Sequence, residues 1–128
     1  MEAAVGYAAD ERGNGLAYAR LVGARSRRLL RVGFRAGAPS ERAVAYAALT
    51  AVTRALTRRG YRDVSFLLAD EEFAAEAASG RGVSERLSLA YVALRCALNA
   101  MATFVIRAGA TDELTQRARA EVALNVAA

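Results

Sequence analysis

The sequence predicts an α/β fold: a mixed five-stranded sheet, three antiparallel strands and then two strands in helix crossovers, with helices on both faces. Two observations predict it. The first third of the chain holds three apolar stretches joined by short polar turns, too short to contain a crossover helix. After Pro39 the apolar spacing changes to that of helices, and each later apolar strand is reached through a helical segment. A length of 128 residues suits one domain, spanning 1–128, and is too short for two.

Residues 3–9, AAVGYAA, are small and apolar at both parities, as in a strand packed on both faces. The following ERGNG is a turn, with glycine and asparagine suited to positive φ. Residues 16–24 form the next strand, and RSRR at 25–28 a basic turn. Residues 29–37 alternate, with Leu30, Val32 and Phe34 on one face and Arg31, Gly33 and Arg35 on the other. These three strands make an antiparallel meander.

Ser40 is a good N-cap after Pro39, and Glu41 suits the positive end of the dipole. The helix is expected over 41–59, ending at Gly60. Its apolar face holds Val44, Ala48, Val52, Ala55 and Leu56, and its polar face Thr50, Thr53, Arg54, Thr57 and Arg58. DVSFLLA at 63–69 is a buried strand without polar alternation, parallel to its partner because a helix crossover leads to it. Asp70 follows, then a short helix to Ser79. Ser84 is expected to cap a long helix from Glu85 to about Met101. Residues 103–109 are the fifth strand. Thr111, with Asp112 and Glu113 in the first turn, opens a last helix reaching about Val126.

Composition narrows the function. Hydrophobic residues make up 55% and charged residues 24%, a soluble globular balance. No apolar run approaches the ~18 residues of a membrane span, and no signal-peptide pattern opens the chain, so a cytoplasmic protein without membrane contact is expected. There is no histidine, which removes Ser-His and Cys-His catalysis and most zinc sites. Cys96 is the single cysteine; it excludes an internal disulfide and, lying in an apolar helical pattern, reads as a buried inert thiol. Carboxylates are then the remaining metal ligands, which favours magnesium or manganese in an active protein and no cofactor otherwise. All 18 basic residues are arginine, against 13 acids, for a net charge of +5; such a surface attracts polyanions.

The element order and the local patterns resemble the ribonuclease H-like family, specifically the small bacterial ribonuclease HI type, over nearly the whole chain. VGYAADERGNG resembles the family's opening strand and glycine-rich turn. RAVAYAALTAVTRALTRRG resembles the helix that begins Ala-Glu-Tyr-x-Ala-Leu and ends in glycine. FLLADEEFAAEAASG resembles the apolar strand, aspartate and short helix, and FVIRAGATDELTQRARAEVAL the last strand and closing helix.

The resemblance implies hydrolysis of a phosphodiester by two magnesium ions held on several carboxylates. The family's first aspartate falls on Ala9, and the acid comes one residue late at Asp10, which on a strand means the opposite face unless a bulge after Tyr7 swings it inward. The helix glutamate falls on Ala45, with Glu41 one turn earlier. Asp70 keeps its position. The last aspartate falls near Leu114 or Thr115, with Asp112 and Glu113 close by. One position of four matches. The expectation is a catalytically degenerate domain, with Asp70 insufficient alone. The alternative is a metal-dependent ribonuclease H rebuilt from Asp10, Glu41, Asp70 and Asp112.

What the resemblance leaves is binding of nucleic acid (RNA, RNA/DNA hybrid or duplex) through arginine contacts to phosphate. The candidates are Arg25, Arg27, Arg28 and Arg31 at the second hairpin, and Arg81 and Arg86 beside the loop that in the family helps hold the duplex. A third reading is a non-enzymatic scaffold that forms a homodimer through a sheet edge or an alanine-rich helix.

Overall fold

The computed structural model describes residues 1–127. Five strands, four α-helices and one short 3₁₀ turn follow in the order β1 (Glu2–Ala9), β2 (Asn14–Val22), β3 (Arg27–Arg35), α1 (Glu41–Arg58), β4 (Asp63–Leu68), α2 (Glu71–Ser79), the 3₁₀ turn (Glu85–Leu87), α3 (Ser88–Asn99), β5 (Thr103–Ala108) and α4 (Asp112–Ala127). The sheet order is β3-β2-β1-β4-β5. β1 pairs antiparallel with β2 and parallel with β4, and β4 pairs parallel with β5, so the mixed sheet is the expected one.

The central strand explains why both parities of its sequence are apolar. Ala3 and Val5 face a large core formed with α1, α2 and α3, including Tyr46, Leu49, Val52, Phe66 and Phe73. Ala4 and Ala8 face α4, against Leu114, Ala118 and Tyr18 of β2. A Cβ at Gly6 would lie 2.4 Å from the Thr115 amide nitrogen, so glycine there lets α4 rest directly on the strand.

Caps fix the helix starts. Ser40 Oγ accepts from the Ala43 amide at 3.3 Å, and the Asp70 carboxylate accepts from the Phe73 amide at 3.0 Å. Gly60 and Gly80 take positive φ behind α1 and α2.

Several expectations are corrected. The basic turn is shorter than 25–28, because Arg27 and Arg28 already pair with Val22 and Leu21 as β3 begins. Ser84 makes no side-chain cap, and the helix expected from Glu85 starts at Ser88 after the 3₁₀ turn and ends at Asn99. Thr50 and Thr53 lie buried, not on a solvated face; Thr53 Oγ1 donates back to the Leu49 carbonyl at 2.7 Å, which satisfies it inside the helix. Cys96 is exposed, because α3 buries Leu94, Ala97 and Leu98 and turns Cys96 outward with Leu89 and Val92. Among the described residues no helix is long and apolar enough to cross a membrane.

Candidate functional site

β1 and β4 run parallel, so Asp10 and Asp70 leave the sheet at the same end. The N-terminus of α1 and the first two turns of α4 close around that end. The result is a cavity of about 390 Å³ whose lining includes Tyr7, Asp10, Glu41, Asp70, Thr111 and Arg119.

Three of the four acids named from the sequence therefore meet here. Asp10 lies one residue past the end of β1, and the cavity it borders takes Tyr7 and Ala9 from one face of the strand and Ala8 from the other. No bulge brings it in: the β1–β2 register runs unbroken from Glu2↔Val22 to Ala9↔Gly15. Asp10 is placed by its turn. Its Oδ1 accepts from the amides of Arg12 and Asn14 at 2.9 and 3.0 Å. Asp112 does not line the cavity; Thr111, just before α4, and Thr115 and Arg119 of α4 do, while Leu114 points into the core beneath the helix. Ala45 is buried in the α1 core, and Glu41 and Val44 are the α1 residues at the cavity.

The acids share a cavity without sharing a point. Among the described residues no group of three or more carboxylate or cysteine side chains stands close enough to hold one metal ion. Two metals need converging oxygens at about 2.1 Å, and this donor set does not meet that demand. Asp70 already uses one oxygen as the α2 cap.

Tyr7 feels the acids. Burial, the negative charge of Asp70 and, more weakly, that of Glu41 push its phenol up to about 12, against the opposing pull of Arg42. Thr111 is 3% exposed, and its buried Oγ1 has no hydrogen-bond partner among the described residues.

A second, larger depression of about 1100 Å³ lies between α1, the end of β3 and the start of α3. Ala47, Ala51, Ala90 and Ala93 contribute to its floor, and Arg35, Arg54 and Arg86 reach it from three different elements. None of these three arginines is in an ion pair among the described residues. Arg42, also at this groove, is held by Glu76 at 3.3 Å and stacks over Phe73.

The arginines named from the sequence are divided by the topology. Arg25, Arg27 and Arg28 are exposed, but at the far end of the sheet, where β2 passes to β3. Along β1, the step from Glu2 to Ala9 separates them from Asp70 by roughly 23 Å. Arg31 is engaged: its guanidinium meets Glu121 of α4 at 2.5 Å, and Tyr18 donates to the same carboxylate, which lowers the Glu121 pKa and raises that of Arg31. Arg81 and Arg86 are exposed on the segment between α2 and α3. Sequence reasoning did not join Arg35 and Arg54 to Arg86. Arg35 ends β3, and only its pairing with Asn14 shows that it lies at the Asp10 end of the sheet.

No family model matches the sequence, and no curated protein matches it. Solved structures do. RNase H1 from the halophilic archaeon Halobacterium salinarum NRC-1 superposes with a TM-score of 0.75 at 19% identity, covering 97% of each chain. The N-terminal RNase H domain of a Mycobacterium tuberculosis protein gives a TM-score of 0.71 at 14% identity, covering 98% of this chain and 99% of that one. At these identities the likeness is one of architecture, and strand order, crossovers and helix placement agree with it throughout: this chain has a ribonuclease H-like fold.

Proposed function

We propose that this chain is a nucleic-acid-binding domain on a ribonuclease H-like fold, that it holds phosphates through arginine, and that it does not hydrolyse them. The observation that carries the reading is the groove bearing Arg35, Arg54 and Arg86, three guanidinium groups in no ion pair among the described residues, on a chain of net charge +5. A free guanidinium offers paired donors to a phosphate without first breaking a bond to a carboxylate. Arg81 flanks this groove's Arg86 in sequence and extends the same basic segment. Arg25, Arg27 and Arg28 supply a separate contact that a longer polymer reaches, and Arg31 is the weakest candidate because Glu121 already holds it. With no tryptophan in the chain, contact with the backbone and not with particular bases is the expected mode.

Loss of hydrolysis is supported by Ala9 and Ala45 at two ligand positions of the resembled family, by the capping role of Asp70, and by the failure of Asp10, Glu41 and Asp70 to converge. A second reading keeps a metal-dependent nuclease, because those three acids do line one cavity.

One assay separates the two. An RNA/DNA hybrid is incubated with the chain with and without manganese, and binding and cleavage are measured together. The expected result is salt-sensitive binding with intact strands. Cleavage that Asp70→Asn abolishes would overturn the proposal and establish the nuclease.

A further inference from the structure

Ten of the 18 arginines and a single acid, Glu41, fall between residues 25 and 62, the stretch that makes β3, α1 and their loops. Glu41 faces the cavity at the ends of β1 and β4, and among the described residues no acid lines the groove of Arg35, Arg54 and Arg86. The topology sets the course of this basic charge. β3 ends beside Asn14, and α1 begins at that end, packs along β3 and runs back toward its start. Arg54 therefore stands well down α1 from Ser40, and Arg58 lies one turn beyond it, about 6 Å further on the same exposed stripe.

Arg28 meets this row from the strand. Alternation along β3 puts it on the side of Leu30 and Val32, which pack into the core shared with α1. Exposed at the start of β3, it borders the C-terminal half of α1, where Arg54 and Arg58 project. Arg27 alternates to the other side of the sheet, and Arg59 turns back to the Ala55 carbonyl at 3.3 Å, so neither continues the row. Arg28, Arg35, Arg54, Arg58 and Arg86 are in no ion pair among the described residues. Along β3, the step from Arg28 to Arg35 is roughly 23 Å.

The shape of the row selects its ligand. In duplex DNA each strand circles the axis once in about 34 Å, so over a row of this length its phosphates swing through about two thirds of a turn. A straight row of guanidinium groups meets such a strand at one end and loses it at the other. A single strand has no such constraint and lies along the row. It also brings unpaired bases, whose faces rest on the alanines of the groove and on Leu89, 84% exposed beside them, with no base identity read.

We propose that these five arginines form one phosphate track along α1, and that the track binds a single strand of nucleic acid lengthwise, in preference to a duplex. Its near end is the groove between Arg35 and Arg86; it passes Arg54 and Arg58 and leaves the protein at Arg28. The track rests on the reading of the groove as a nucleic-acid site and adds the form of the ligand and its direction.

Fluorescence anisotropy of the full chain tests it, with labelled oligothymidylates of about 12 and about 4 nucleotides, a DNA duplex of the longer length, and polyglutamate as competitor. The longer single strand is expected to bind about tenfold more tightly than the duplex or the shorter strand. Arg58→Ala and Arg28→Ala each weaken it by about threefold or more and lower the salt slope by about 0.7. Arg117→Ala removes the same charge from α4, on the opposite face of the sheet, and leaves the slope unchanged. Circular dichroism shows each variant folded. Duplex binding equal to single-strand binding, unchanged affinity and slope in folded Arg58→Ala and Arg28→Ala, or equal competition by polyglutamate would each overturn the track. In the first two cases, losses confined to Arg35→Ala and Arg86→Ala leave the groove standing as a nucleic-acid site, whereas no binding of any of these nucleic acids removes both.

Discussion

The Tyr46 hydroxyl, on the buried face of α1, donates to Glu76 Oε2 of α2 at 2.5 Å, and Arg42 meets the other oxygen of the same carboxylate at 3.3 Å. The Tyr46 ring also stands edge-on to Phe73 and Tyr91. One tyrosine thus joins three helices, and burial together with Glu76 holds its phenol neutral well above the ordinary range. Tyr46→Phe keeps the ring packing and removes the hydrogen bond. It should lower stability by about 1–2 kcal/mol, with the denaturant midpoint reduced and the slope unchanged in urea unfolding.

Gly6 gives a sharper effect. A Cβ there would lie 2.4 Å from the Thr115 nitrogen and 2.6 Å from the Leu114 Cβ, both parts of a helix that cannot move aside without leaving the sheet. Gly6→Ala should destabilise by about 3 kcal/mol or more, whereas Gly33→Ala, where a Cβ meets nothing within 4 Å, should change stability little. Thermal unfolding of the pair checks this.

Asp70 separates cap from catalyst. Asparagine caps a helix about as well as aspartate, so Asp70→Asn should leave stability within a few tenths of a kcal/mol, and Asp70→Ala should cost about 1 kcal/mol. Hybrid affinity should stay unchanged in Asp70→Asn, as gel-shift titration can read.

Tyr7 predicts an alkaline dependence. Its folded-state pKa of about 12 lies above the ordinary value of 10.0, so the folded chain keeps a proton that the unfolded chain releases. That stabilisation is complete below pH 10 and is lost as pH rises toward about 12. Tyr7→Phe should flatten the fall of stability over this window without abolishing it, since Tyr46 shifts in the same direction. Urea midpoints measured across the window test it.

Groove contacts have their own signature. Replacing Arg35 or Arg86 by alanine should weaken hybrid binding evenly across sequences and reduce the salt slope by about 1 each. Replacing Arg31 should do less, because Glu121 already neutralises it.

The element order was legible because several boundaries have local chemistry, the start of α3 excepted. Ser40, Gly60, Asp70 and Gly80 act at the positions their side chains or their freedom of φ suit. The small residues of β1 were legible as a strand covered on both faces. Burial on the helices was less so. Thr53 satisfies itself against its own helix, so its polarity says nothing of which way it points. Cys96 keeps company with Leu94 and Leu98 in sequence, yet a 100° step per residue turns it to solvent.

The acids and the arginines of the candidate site differ in how far the sequence located them. Asp10, Glu41, Asp70 and Asp112 were named through the family resemblance; the parallel pairing of β1 with β4 brings Asp10 and Asp70 to one end, where the start of α1 adds Glu41, and Asp112 stays outside the cavity. Whether Arg25 or Arg35 shares that end depends on strand direction and register. Both are properties of pairs of strands, which no single stretch encodes.

The central place of β1 also divides the chain in time. Its bonds to β2 join residues across one tight turn, whereas those to β4 join Val5 to Leu68, across the whole of α1. Closing the second set requires ordering a far longer loop, so the meander is the local event and docking of β4 the slow one. Asp10 and Asp70 stand on opposite sides of that divide. The cavity between them has no existence in a half-folded chain, and amide protection at Leu67 and Leu68 should appear together with it.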